Sequence, residues 1–194
     1  MMGDDGRRWA NTRFARAMHG DAAMKNRRSI RLNTYNYASK GAYFITICAI
    51  VRQPWFGKVH DKAMQLNDAG RMIDAEWQNL ATRFTHIELD TFIVMPDHIH
   101  GIICITGGTT PTPMPRSNEG PNGTVRGSIG HIIQAFKSLT TNTYIQRVDQ
   151  QGWQPFPGKL WQRNYYEHII RNEHDLQRIR EYILGNPSRW KQIV

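Results

Sequence analysis

The sequence predicts an α+β fold, an antiparallel sheet that carries helices on one face. Three observations predict it. Runs of β-branched and aromatic residues, the composition of strands, fall at residues 42–50, 87–95, 102–105 and 161–171. Apolar stripes of helical period begin after Asn67, Ser128 and Asn172, between and beyond those runs. Residues 92–105 read F-I-V-M-P-D-H-I-H-G-I-I-C-I, two strands joined by a tight turn. The order is β-α-β-β-α-β-α, and two β-α-β halves with helices on one face make the ferredoxin-like arrangement.

Residues 1–24 mix Gly, Asp, Arg, Ala and Met without a period, so a poorly ordered leader is expected before a single domain over 25–194. In 42–50 (A-Y-F-I-T-I-C-A-I) Tyr43, Ile45 and Ile47 share one face and Phe44, Thr46 and Cys48 the other, as in a central strand buried on both sides. A Pro-Trp-Phe-Gly turn follows at 54–57. Asn67 then caps a helix whose core stripe is Ala69, Met72, Ile73, Trp77, Leu80 and Phe84. After the hairpin, 107–127 is rich in Gly, Thr, Pro, Ser and Asn and reads as a mobile loop. Ser128 caps a second helix with Ile129, Ile132, Ile133, Phe136 and Leu139 inward and Lys137 off that face. Residues 161–171 form the fourth strand, on which Tyr165 and Tyr166 face opposite ways. Asn172 caps the last helix, with Asp175 in a capping-box-like position, and Gly185-Asn186-Pro187 ends it.

With 194 residues, 40% hydrophobic and 21% charged, the chain is an ordinary globular domain. No apolar run is long enough for a membrane span, and Met1 to Gly20 lacks the apolar core of a secretory signal, so a cytoplasmic protein is expected, nucleoid-associated when bound to DNA. Cys48 and Cys104 sit in strand runs and are expected to be reduced core residues. The net charge of +9 favours a polyanion, because cations that neutralise phosphates release counterions. Arg27, Arg28 and Arg31 form one basic cluster, and residues 159–191 interleave cations with Trp161, Tyr165, Tyr166, Tyr182 and Trp190, a mixture suited to phosphates and unstacked bases. Lys137, Arg163 and Arg178 complete the candidate DNA contacts.

His98 and His100 alternate with Ile99, so both imidazoles reach one face of a strand and can share a ligand. Asp97 beside them either orients an imidazole or shapes the turn, and the turn is the commoner use. On the last helix Arg178, Tyr182 and Asn186 stand at i, i+4 and i+8 beside the Leu176, Ile179 and Ile183 stripe. A phenol, whose pKa is about 10, needs help to act as a nucleophile at neutral pH. A divalent cation held by two imidazoles and a carbonyl oxygen could neutralise a phosphate under in-line attack, with Arg178 steadying it. His131 and His174 read as surface residues.

M-P-D-H-I-H-G-I, W-Q-R-N-Y-Y-E-H-I-I-R-N and R-E-Y-I-L-G-N-P-S-R-W, in that order, resemble the single-tyrosine transposases of the His-hydrophobic-His superfamily, closest to the branch associated with repetitive extragenic palindromes. R-R-S-I-R-L at residues 27–32 also resembles that branch. The resemblance implies that His98, His100 and Asn186 hold Mg²⁺ or Mn²⁺. It also implies that Tyr182 attacks single-stranded DNA beside a palindromic hairpin, leaving a 5′-phosphotyrosine and a free 3′-hydroxyl. In many relatives the third ligand is Gln, so Asn186 marks the palindrome-associated pattern. Imidazoles alone would equally suit zinc. Two other readings stay open, a non-catalytic nucleic-acid-binding module of ferredoxin-like fold and a metal-dependent phosphodiesterase that uses water. A homodimer is also open.

Overall fold

The computed structural model describes residues 36–107, 119–120 and 124–190. The expected leader, the Arg27, Arg28 and Arg31 cluster and most of the expected 107–127 loop lie outside the described residues. In chain order the elements are β1 (Gly41–Cys48), β2 (Gly57–His60), β3 (Ala63–Leu66), α1 (Asp68–Gln78), α2 (Leu80–Arg83), β4 (Ile87–Val94) and β5 (His98–Ile105). Two-residue strands β6 (Glu119–Gly120) and β7 (Thr124–Val125) pair next, followed by α3 (Ile129–Gln151), β8 (Tyr166–Ile170), α4 (Glu173–Leu184) and α5 (Asn186–Arg189).

Four strands form one antiparallel sheet in the order β4-β5-β1-β8. This is the strand order of two interlocked β-α-β halves, with each crossover helix, α1 and α3, returning over the same face. Odd-numbered β1 residues Tyr43, Ile45 and Ile47, and Ile99 and Ile103 of β5, meet Ile73, Trp77, Ile132, Ile133 and Phe136 there in the main core. Gly101 is required at the centre of that face. A Cβ on it would fall 2.3 Å from Trp77 Cζ2, and Trp77 is itself stacked on Phe92 with ring centroids 4.4 Å apart.

The caps follow local chemistry. Asn67 Oδ1 accepts from Gly70 N, Ser128 Oγ from His131 N and Asn172 Oδ1 from Asp175 N, each satisfying a helix-start N–H that has no partner within its helix. Asp175 does not reach back to close a capping box, because its carboxylate is engaged by His168 and Arg178 instead.

Several sequence expectations are corrected. Residues 57–66 form a small hairpin, β2-β3, beyond the expected turn. Asp61 and Lys62, at φ 49° and 61°, make its turn, and at its open end Gly57, at φ +135° opposite Leu66, leaves no room for a Cβ, which would fall 2.1 Å from the Gln65 carbonyl oxygen. The fourth strand is shorter than 161–171. Trp161 makes only an isolated bridge to Ala49, and Lys137 Nζ pulls the intervening chain off the ladder by donating to the carbonyls of Gln162 (2.9 Å), Arg163 (3.3 Å) and Asn164 (3.2 Å). On α3 Leu139 is only half-buried. Thr140 is buried in its place, its hydroxyl donating to Phe136 O and accepting from Trp161 Nε1 at 2.9 Å. Cys48 and Cys104 form no disulfide and are half-buried rather than core. Among the described residues no helix is long and apolar enough to cross a membrane.

The second face of the sheet is also covered. Even-numbered Phe44 is fully buried there, with the Tyr182 ring of α4 edge-on at 6.0 Å. Two clamps fix α4. A bulge between Leu89 and Phe92 adds one residue to β4, and Asp90 in it takes a two-pronged bond from Arg180, 3.0 Å to Nε and 2.6 Å to Nη2. At the helix start His168 of β8 bonds Asp175 at 2.8 Å, which also pairs with Arg178.

Candidate active site

The turn Pro96-Asp97 closes β4 onto β5 with Met95 N donating to His98 O at 2.8 Å. Its effect is to start β5 on a histidine, so His98 and His100 rise from the face that α4 covers. Both are buried, and their Nε2 atoms lie 3.1 Å apart. Their outer nitrogens are held from opposite sides. His98 Nδ1 is 2.5 Å from Asp97 Oδ1, and His100 Nδ1 is 2.8 Å from Thr46 Oγ1. A carboxylate only accepts, so His98 Nδ1 donates to Asp97, and Nε2 is the nitrogen that a neutral ring leaves with a lone pair. The Thr46 hydroxyl can donate or accept. When it donates, His100 Nε2–H points at His98 Nε2; when it accepts from Nδ1–H, the His100 Nε2 carries a lone pair as well, 3.1 Å from His98 Nε2.

That second arrangement fits a cation. Two bonds of about 2.1 Å to one ion readily span a nitrogen separation of this size. Burial, and His98 next, holds the His100 pKa well below its ordinary value, so the ring is neutral at neutral pH, the form that binds metal. Among the described residues there is no group of three or more His, Cys, Asp or Glu that could hold a metal ion, so any third protein ligand would be of another kind. Asn186, buried, is the carboxamide at hand.

Tyr182 completes the cluster. Its ring centroid is 5.3 Å from that of His100, and its hydroxyl is hydrogen-bonded to the Asn186 side chain. Burial raises the phenol pKa above its usual value, outweighing the opposite pull of Asn186 and Arg189. The phenol is therefore protonated at neutral pH.

The fold sets His98 and His100 of β5 beside Tyr182 of α4, and Asn186, which opens α5 instead of lying on the Tyr182 helix, joins the cluster through Tyr182. Other candidates lie elsewhere. Lys137 is spent on the three loop carbonyls, with its ammonium 5.5 Å from the Tyr165 ring centroid. Arg163 is exposed, and Arg178 is drawn to Asp175 rather than toward Tyr182. Trp161, expected among the base-stacking aromatics, is core. Tyr165 packs against the core, and Tyr166 lies beside Phe44 with ring centroids 6.2 Å apart. His131 is half-buried and accepts from Gly127 N at 3.1 Å, while His174 is exposed.

Four residues were missed or underrated. Asp97 orients an imidazole, the use that sequence reasoning ranked second. Thr46 lies opposite His100 in the β1-β5 register, which no local pattern reveals. Arg189, 6.0 Å from the Tyr182 ring centroid, and Trp190, 5.7 Å from the His98 ring centroid, lie beyond the proline expected to end the helix. Pro187 instead sits in the first turn of α5, where its missing N–H costs nothing. Arg189 stands seven residues after Tyr182, a spacing that continued helical counting would have flagged.

No protein-family model matches the chain. It is 40% identical over 176 residues to an uncharacterized protein of Haemophilus influenzae, covering 89% of this chain and 94% of that one. It shares the fold of a solved REP-associated tyrosine transposase bound to a REP hairpin, with TM-score 0.55, 18% identity, and coverage of 82% of this chain and 74% of that one. A solved Deinococcus radiodurans protein aligns at TM-score 0.44 and 19% identity over 80% of this chain and 95% of its own.

Proposed function

We propose that this chain, which belongs to the same family as the uncharacterized Haemophilus influenzae protein, is a transposase-type nuclease that cleaves and rejoins single-stranded DNA near a palindromic hairpin through a covalent tyrosine link. The observation that carries the proposal is the convergence of two imidazoles, their Nε2 atoms 3.1 Å apart, with a phenol whose ring lies 5.3 Å from one of them. The shared fold with a hairpin-bound transposase supports the substrate class.

His98 and His100 would hold the cation, with the Asn186 carbonyl as third ligand. A carboxamide has a donor end and an acceptor end, so Asn186 can keep the phenol through its N–H while offering its oxygen. Bound there, Mg²⁺ or Mn²⁺ supplies Lewis acidity to a phosphate oxygen. Tyr182 then forms a bond from its phenolic oxygen to phosphorus while the bond from phosphorus to the 3′-oxygen breaks. The phenolic proton ends on that oxygen as a free 3′-hydroxyl, and the 5′-phosphate remains on the tyrosine. The reverse attack by a 3′-hydroxyl rejoins the strand. Arg189, close to the ring, favours the phenolate that burial opposes.

The binding-module reading needs an open aromatic sheet face, and here Phe44 is fully buried beneath α4. The test is incubation with a labelled single-stranded hairpin DNA and Mn²⁺, followed by a denaturing gel. A covalent adduct absent from Tyr182→Phe is the expected result. Free cleavage products that survive that substitution would instead identify a water-using phosphodiesterase.

A further inference from the structure

We propose that the cavity of about 500 Å³ beside the histidine pair is a binding site for one unpaired nucleotide of the substrate strand, its base stacked on Trp190 and its phosphate at Arg52 and Lys58. This inference rests on the nuclease reading above and adds a site to it.

The cavity is walled by the β2-β3 hairpin on one side and by the Pro96-Asp97 turn and Trp190 on the other. It adjoins the candidate active site through two of those residues. Asp97 is the carboxylate that bonds His98 Nδ1, and Trp190 lies over the His98 ring at a tilt of 33°. Whatever fills the cavity is therefore one residue away from the proposed ligands. Its walls are mixed in the way a nucleotide requires. Val59, Leu66 and the Trp190 face are apolar, Arg52 and Lys58 are cationic and exposed, and the Gln65 carboxamide offers a donor and an acceptor to a base edge. The volume is in the range of small-ligand sites. Asp97 would repel a phosphate at the inner end, but its carboxylate is committed to His98 and lies 4.0 Å from Arg52. The anion is thus directed to the rim, where Lys58 stands, and the base to the interior. A duplex could not supply this ligand, because its bases are already stacked, so the site selects an unpaired flank.

The test is equilibrium binding, by fluorescence anisotropy, of a labelled single-stranded DNA hairpin with unpaired flanks, in a series where one flanking position at a time is abasic. With the native chain, one position should weaken binding about 5- to 150-fold, the worth of one stacked base. In Trp190→Ala that position should cost nothing further, and Trp190→Phe should restore the sensitivity. Lys58→Gln should reduce the steepness of salt dependence by about 0.7 in log–log slope. Equal abasic effects at every position, or the same abasic penalty in Trp190→Ala as in the native chain, overturns the proposal. Denaturing gels on the same DNAs separate it from the parent reading. Adduct without a base-specific position sinks the pocket alone, whereas a base-specific position without adduct sinks the covalent mechanism and leaves the pocket standing.

Discussion

Thr46→Val isolates the support of the histidine pair, because it removes one hydroxyl and leaves the side-chain shape nearly unchanged. Thr46 is 3% exposed and its Oγ1 lies 2.8 Å from His100 Nδ1. With the hydroxyl replaced by a methyl, the ring nitrogen has no partner in either tautomer, and a buried polar atom left unpaired costs about 1–3 kcal/mol. For a domain of this size each kcal/mol moves the melting temperature by about 2–4 °C, so a drop of roughly 2–12 °C is expected. The effect on cation binding is separate. Losing the partner that sets the tautomer of a metal-binding imidazole weakens affinity about 10- to 100-fold. Thermal melting without metal and calorimetric titration with Mn²⁺ measure the two effects, with Thr46→Ser as the variant that keeps the hydroxyl. If Thr46→Val melts as the native chain does and takes up Mn²⁺ equally well, the tautomer argument for the site is refuted.

Other predictions follow from neighbouring features. Gly101→Ala places a methyl 2.3 Å from Trp77 Cζ2, and overpacking of that kind should lower stability by about 1–3 kcal/mol in urea titrations; unchanged stability would mean the tryptophan has room to move. The Arg180 guanidinium lowers the Asp90 pKa from 3.8 to about 2. A depressed carboxyl stabilises the fold above its unfolded pKa and loses that contribution as pH falls through the folded one. Between about pH 4 and pH 2 the native chain should therefore lose stability more steeply than Asp90→Asn, and parallel acid titrations would rule the clamp out. Arg189→Ala removes a cation that favours the Tyr182 phenolate, so the alkaline rise of adduct formation should move to higher pH, while Arg178→Ala, at the Asp175 clamp, should leave that limb in place.

Much of the fold was legible because its signals are local. Asn67, Ser128 and Asn172 announce helix starts, since a short polar side chain beside an apolar stripe has one favourable use there. Strand alternation placed Phe44 and Thr46 opposite Tyr43 and Ile45, and placed both histidines on one face. What misled was equally physical. The aromatic and β-branched run from Trp161 has strand propensity throughout, but one lysine on a distant helix captured three of its carbonyls, and propensity yields to such a tertiary bond. Proline at 187 read as a stop because sequence alone does not distinguish the end of one helix from the first turn of the next.

By itself the sequence determined which groups lie one backbone repeat apart: His98 with His100 on a strand, and Tyr182 with Asn186 one helical turn on, although Asn186 opens α5 rather than continuing α4. Those pairings follow from backbone periods that hold wherever the element lies. Only the tertiary structure decided that the two pairs meet, that Thr46 and Asp97 grip the imidazoles from either side, and that Arg189 rather than Arg178 attends the phenol. The reason is that sheet register and the seating of α4 are set by long-range pairing, by the extra residue in β4 that aims Asp90 at Arg180, and by burial of Ile179 and Ile183 against the second face. None of these is written in a window of neighbouring residues.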